Sequence, residues 1–241
     1  MPTNLLRLLN NAYKVFARYR RPLALDASPL RDPEKLLRQL TDRPLRLLDV
    51  EHVQEYASAA LTTVGTVEDY KHFLPRLLEL AVGSGVVEPE IIALKLEGAE
   101  WRAWPKKEQQ ILEEIFVQAA GDAFMRHPDD YIAGQWLVSL AIMNIDLGQV
   151  RAEILTLNND CCALQLAHLL FADTLFESDP LAWAYWSCVS DKALLETRAW
   201  LLSEETRTLL LTVRLRIPPR DVWLLDQGIA RQEELIQQRL H

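Results

Sequence analysis

The chain has 241 residues, enough to bury a sizeable core as one large domain or two modest ones. With 49% hydrophobic and 25% charged residues, and only 8 Gly and 12 Pro, it cannot be a disordered, collagen-like or disulfide-stapled protein. The net charge of −8 is unevenly spread: residues 1–46 hold 10 Lys/Arg against 4 Asp/Glu and residues 47–241 hold 16 against 30, which argues against nucleic-acid backbone binding by the whole molecule.

Helical periodicity and helix punctuation dominate, and no alternating run or Asn-Gly hairpin signal marks a strand. A first helix is expected from near Thr3, with Leu5, Leu8, Leu9, Ala12, Val15 and Phe16 as its apolar stripe, ending before Arg21-Pro22. Asp32-Pro33 reads as an N-cap and first-turn proline for a short helix through Leu40, and Thr41-Asp-Arg-Pro44 interrupts the chain again. Asp49 can cap a helix carrying Val53, Tyr56, Ala60 and Leu61 that ends near Gly65. Thr66 and Asp69 form a start signal of the capping-box type for a helix carrying Tyr70, Phe73, Leu74, Leu77 and Leu78. Pro75 lies inside that pattern and predicts a kink or a restart.

Gly83-Ser-Gly85 is the most flexible-looking linker, and a weak subdomain boundary is expected there, between residues 1–83 and a helical array over 86–241 packed continuously with them. Further helices are expected over 88–101, 105–126, 128–145, 147–156, 159–176, 180–202, 204–215 and 219–240, with Pro89, Pro105, Pro128, Pro180 and Pro219 at or beside their starts. The segments 131–147 and 159–176 are apolar nearly all round, which suits central positions. The expected fold is all-α: an irregular, α-solenoid-like array of about ten to twelve antiparallel helices without a fixed repeat period.

The N-terminal residues contain neither an uninterrupted hydrophobic stretch nor a small-residue cleavage site, so no secretory signal is expected. The longest apolar run, Trp136 to Met143, is too short for a bilayer. Cys161, Cys162 and Cys188 are an odd count and read as reduced thiols of a cytoplasmic protein.

Motifs for chemistry are sparse. No phosphate-binding glycine loop, His-Glu-x-x-His, paired Cys-x-x-Cys or Gly-x-Ser-x-Gly can be written, and no cofactor or metal is expected. Cys161 and His168 fall two turns apart on one helical face, but without further ligands they read as core residues rather than a metal site. His127-Pro-Asp129-Asp130 could bind a cation or do acid/base work, yet acidic residues at a helix start are what the macrodipole favours. His72, one turn from Glu68 and Asp69, is expected to have a raised pKa. Of the late tryptophans, Trp183 and Trp186 share a face; these rings read as packing, and an exposed one among them would read as a protein-binding hot spot.

Acidic residues supply the remaining lead. Glu51 and Glu55, Glu68 and Asp69, Glu97 and Glu100, and Asp129 and Asp130 are candidates for a surface complementary to a basic protein. The basic head, including Lys14, Arg18, Arg31 and Arg46, is expected to pair with the acidic body of the same chain.

The stretches Tyr19-Arg-Arg-Pro22, Leu40-Thr-Asp-Arg-Pro-Leu45, Glu55-Tyr-Ala-Ser-Ala-Ala-Leu-Thr-Thr-Val-Gly65 and Glu68 to Leu80 resemble a family of uncharacterised helical bacterial proteins, loosely continued through Trp101-Arg-Ala-Trp-Pro105. That resemblance brings no catalytic residue with it. Where some members have a cysteine-rich loop, this chain has Leu23-Ala-Leu-Asp-Ala-Ser-Pro29. In type rather than motif, the chain is similar to immunity proteins of polymorphic toxin systems. The expected function is therefore a cytoplasmic protein that binds and neutralises a cognate bacterial toxin domain by occluding its active site, with no nucleic-acid or membrane partner. The alternatives are a helical-repeat scaffold and, third, an enzyme of unrecognised motif.

Overall fold

The computed structural model describes residues 2–28, 32–172, 174–177 and 185–239. Among them it contains twelve α-helices and no strand, so the protein is all-α. Its contacts divide the chain into two compact units, residues 1–118 and 119–241, with the division inside α6. The expected boundary at Gly83-Ser84-Gly85 falls within the first unit, because the helices on either side of that linker pack against each other.

In the first unit the helices are α1 (Thr3–Val15), α2 (Pro33–Thr41), α3 (Val50–Ala59), α4 (Val67–Gly83), α5 (Pro89–Gly98) and the first turns of α6 (Lys106–Phe124). Three of the starts are fixed by local hydrogen bonds that satisfy otherwise open helix-end donors. The Asp32 carboxylate accepts from the Lys35 N–H at 2.9 Å, and that of Asp49 accepts from the Glu51 N–H at 3.0 Å. At α4 the bonding is reciprocal: the Thr66 hydroxyl accepts from the Asp69 N–H, and the Asp69 carboxylate accepts from the Thr66 N–H at 2.8 Å.

Helix α4 is the axis of this unit and packs against α1, α3, α5 and the 3-10 turn Phe16–Arg18. It buries Tyr70, Phe73, Leu74, Leu77 and Leu78 as the periodicity requires. No restart occurs at Pro75; α4 runs unbroken from Val67 to Gly83 with the ring buried inside. Helix α3 is shorter than its apolar pattern. Leu61 takes a left-handed φ of 62°, and the N–H groups of Thr62, Thr63 and Val64 fold back onto the Ala59 carbonyl.

The second unit contains α7 (Gly134–Ile142), α8 (Gly148–Leu157), α9 (Asp160–Phe171), α10 (Asp191–Leu201), α11 (Glu204–Arg214) and α12 (Val222–Arg239). Helices α7 and α9 are buried along nearly their whole length, as all-round apolarity demands. Helix α9 packs against α8, α11 and, most extensively, α12. That contact is close because Gly228 of α12 lies against Ala167 of α9: a Cβ added at Gly228 would come within 2.6 Å of the Ala167 Cα.

Besides ends that fall short at Ala59, Gly98 and Phe171, two expected helices differ more widely from their sequence reading. The helix expected over 128–145 begins only at Gly134, and Pro128 sits in a preceding turn. Of the helix expected over 180–202, only 191–201 is α-helical among the described residues, preceded by a 3-10 segment over 185–188; Pro180 and Trp183 lie outside the described residues.

Candidate functional site

The acidic candidates are dispersed over several elements. Glu51 and Glu55 lie exposed one turn apart on α3, and Glu68 is exposed in the first turn of α4. Asp69 is half-buried, and its carboxylate also accepts from the Thr66 hydroxyl at 2.9 Å, so its hydrogen-bonding capacity serves the helix start. Glu97 is half-buried and accepts from the Trp101 indole N–H at 2.6 Å. Glu100 does not share a helical face with it: α5 stops at Gly98, and Glu100 has a left-handed φ of 52° in the following turn.

Asp129 and Asp130, in the second unit, are exposed in a turn and do not open a helix. The Asp129 carboxylate lies 3.4 Å from the His127 Nδ1, and Asp221 lies 3.4 Å from the Nε2 of the same ring. Among the described residues no group of three or more His, Cys, Asp or Glu side chains is placed to hold a metal.

Of the basic head, Arg18 and Arg46 pair with carboxylates of the acidic body, Glu108 and Glu79, whereas Arg38 and Arg43 pair with Glu34 and Asp42 inside the head itself. Arg46 lies 3.8 Å from the Glu79 carboxylate and stacks over the Tyr13 ring, whose hydroxyl donates to Glu79 at 2.7 Å. Burial, reinforced by Glu79, raises the pKa of that phenol. Arg31 lies outside the described residues.

The most concentrated charge in the first unit was not among the sequence candidates. Glu108 of α6, with its side chain 2% exposed, accepts from the Lys71 ammonium at 3.0 Å and the Tyr19 hydroxyl at 2.9 Å and forms an ion pair with the Arg18 guanidinium at 2.8 Å. Lys71, itself 8% exposed, also lies 3.8 Å from the centre of the Trp104 ring. One carboxylate thus faces two cations. The sequence did carry a signal for this node: Lys71 stands in register with Leu74 and Leu78, and Glu108 with Ile111, Leu112 and Ile115. A charge on an apolar stripe needs a buried partner.

His72 follows Lys71, and among the described residues its ring bonds to a backbone carbonyl and not to a carboxylate, with Nδ1 2.9 Å from the Tyr19 oxygen. Burial pushes its pKa below the ordinary histidine value, and Arg21 adds to this against the opposing effects of the Tyr19 carbonyl and Asp69. The expected raised value is therefore corrected: desolvation outweighs the nearby acid.

In the second unit, Cys162 is buried, with its Sγ 3.8 Å from the Met125 sulfur, and burial pushes its thiol up to about 12. Cys161 is raised by burial and then by Asp160, Asp130 and Asp221. Both thiols are held away from the thiolate form that nucleophilic chemistry needs. A different surface feature stands out. Trp223, in the first turn of α12, is 57% exposed and meets Phe171, 46% exposed at the end of α9, edge to face with centroids 6.5 Å apart.

No helix among the described residues is long and apolar enough to cross a membrane. Compared with known protein families, with curated proteins and with solved structures, the chain finds no match.

Proposed function

We propose that this chain is a protein-interaction protein, and most concretely an immunity protein that neutralises a cognate bacterial toxin domain by covering its active site. The observation that carries the binding reading is the exposed Trp223–Phe171 pair in the second unit. Large aromatic rings held rigidly at a surface are the side chains that most often dominate protein–protein affinity. Glu51, Glu55, Glu68, Glu100, Asp129 and Asp130 are exposed carboxylates that would steer a basic partner and discriminate against acidic ones. The toxin-directed form of the proposal rests on the likeness of type, that of an acidic, all-helical chain.

Co-expression with the product of an adjacent gene tests the proposal. Growth rescue and a one-to-one complex on size-exclusion chromatography are expected. Trp223→Ala should weaken that complex by about 2 kcal/mol or more while leaving the far-UV circular dichroism unchanged. Absence of both rescue and complex with every neighbouring product would overturn the toxin reading. A complex whose affinity ignores Trp223→Ala would remove the aromatic pair from it.

A further inference from the structure

The first unit contains an open cleft of about 690 Å³ between the end of α1 and the first turns of α6. Its size is that of a small-molecule site. Lys14, Arg18, Lys106 and Lys107 line it, opposed by Glu108 and Glu114. In a chain of net charge −8, this is a local gathering of positive charge. We propose that this cleft binds a small polyvalent phosphate anion, of the diphosphate type.

Three features of the cleft point to that class of ligand, beginning with charge balance. The carboxylate of Glu108 is already matched by the buried Lys71, so Arg18 is a surplus cation beside it. The side chains of Lys14 and Lys107 have no hydrogen-bond or ion-pair partner among the described residues. Like charges facing one another across the cleft, Lys14 and Arg18 from the α1 side and Lys106 and Lys107 from α6, repel, and an anion of two or more charges between them relieves that repulsion.

The second feature is the orientation of Arg18. Its Nη2 is fixed by Glu108 at 2.8 Å and Tyr19 at 2.7 Å, while Nε and Nη1 have no partner among the described residues. A guanidinium held by one nitrogen presents its remaining edge in the geometry that suits two oxygens of a phosphoryl group. The third feature is the backbone. The α6 ladder opens with the N–H groups of Glu108 and Gln109 donating to the Pro105 carbonyl, so those of Lys106 and Lys107 precede it beside the same cleft. Val15, Pro105 and Ile111 are its apolar lining, with no aromatic ring to stack a base. Recognition is thus of the phosphate and not of a nucleobase.

Calorimetric titration of inorganic pyrophosphate into the full chain at low ionic strength tests the site. Saturable one-to-one binding is expected, weakened by added salt. The double variant Lys14→Gln, Lys107→Gln alters two exposed side chains and should keep the melting temperature while losing about tenfold or more in affinity. Lys192→Gln, an exposed lysine on α10, should bind as the parent chain does. Absence of saturable binding, or equal affinity in the double variant, would overturn the proposal. Citrate binding as tightly as pyrophosphate would overturn its phosphate character, and a polyglutamate peptide binding more tightly than either would make the cleft a protein-docking groove instead.

Discussion

The two units bury polarity with different emphasis: both use a buried amide, as Gln109 in the first donates to the Arg102 and Trp104 carbonyls, but they differ in what else they bury. The first places a charged node, Glu108 with Lys71 and Arg18, between α4, α6 and the turn after α1. The second buries mostly neutral groups, with the Asp221 carboxylate beside His127 and Arg220 as the charged one among the described residues. Gln165 of α9 accepts from the Ala133 N–H at 3.0 Å and donates to the carbonyls of Arg126 at 3.0 Å and Tyr131 at 2.5 Å, while Gln232 of α12 donates to the Leu201 carbonyl at 2.7 Å. An amide can satisfy backbone groups that no helix reaches without carrying a charge into the core. Buried ions, in contrast, must find each other or lose several kcal/mol apiece in desolvation. The first unit therefore depends on side-chain pairs from distant parts of the sequence, and the second on close backbone approach with amide bridges.

The largest break in this comparison is expected at Glu108. Glu108→Ala leaves Lys71 buried without its carboxylate and should lower unfolding stability by about 3–5 kcal/mol in urea titration. The double change Glu108→Leu, Lys71→Met should recover most of that loss, because apolar replacement of a whole buried pair is often neutral or better. A single variant no weaker than a surface substitution would show that the node is solvated. The corresponding break in the second unit is Gly228→Ala, which forces a Cβ to 2.6 Å from the Ala167 backbone and should cost about 3 kcal/mol by overpacking α9 against α12. Gly121→Ala, where an added Cβ meets nothing within 4 Å, should instead stabilise α6 by about 0.5–1 kcal/mol. Equal effects at the two glycines would contradict the close helix contact.

Next in size is Gln165→Leu. It strands two carbonyls and one N–H in the interior and should cost about 1–3 kcal/mol, with faster amide exchange expected at Ala133. The same glutamine explains where sequence reading failed. Helix starts at Asp32, Asp49 and Thr66 were legible because each rests on a bond to a residue two or three positions away. The late start of α7 was not, since the backbone at Tyr131 and Ala133 is claimed by a side chain more than 30 positions later. The node divides in the same way. A lysine and a glutamate on apolar stripes each announce a buried charge, but their pairing across 37 positions is tertiary. Of the acidic candidates, Asp69 and Glu97 are half-buried and the others exposed, and Glu97 and Glu100 do not share a face because of a helix end at Gly98 that periodicity alone does not mark.

The smallest expected effect lies beside the node, at His72, where the charged first unit meets a half-buried imidazole. Burial holds its pKa below the ordinary 6.5, so between that value and the folded one the unfolded chain binds the proton more readily. Stability contributed by the neutral ring is thus fully present above pH 6.5 and is lost as pH falls through the window below it. Urea midpoints measured from pH 7 downward should fall less steeply for His72→Gln than for the parent chain, because the substituted ring no longer titrates. His72 touches the Tyr19 carbonyl at 2.9 Å, and Tyr19 in turn holds Glu108 and Arg18, so protonation there also adds a further cation next to a node that already has one in excess. Parallel pH slopes for the two proteins would place His72 in water and sever it from that node.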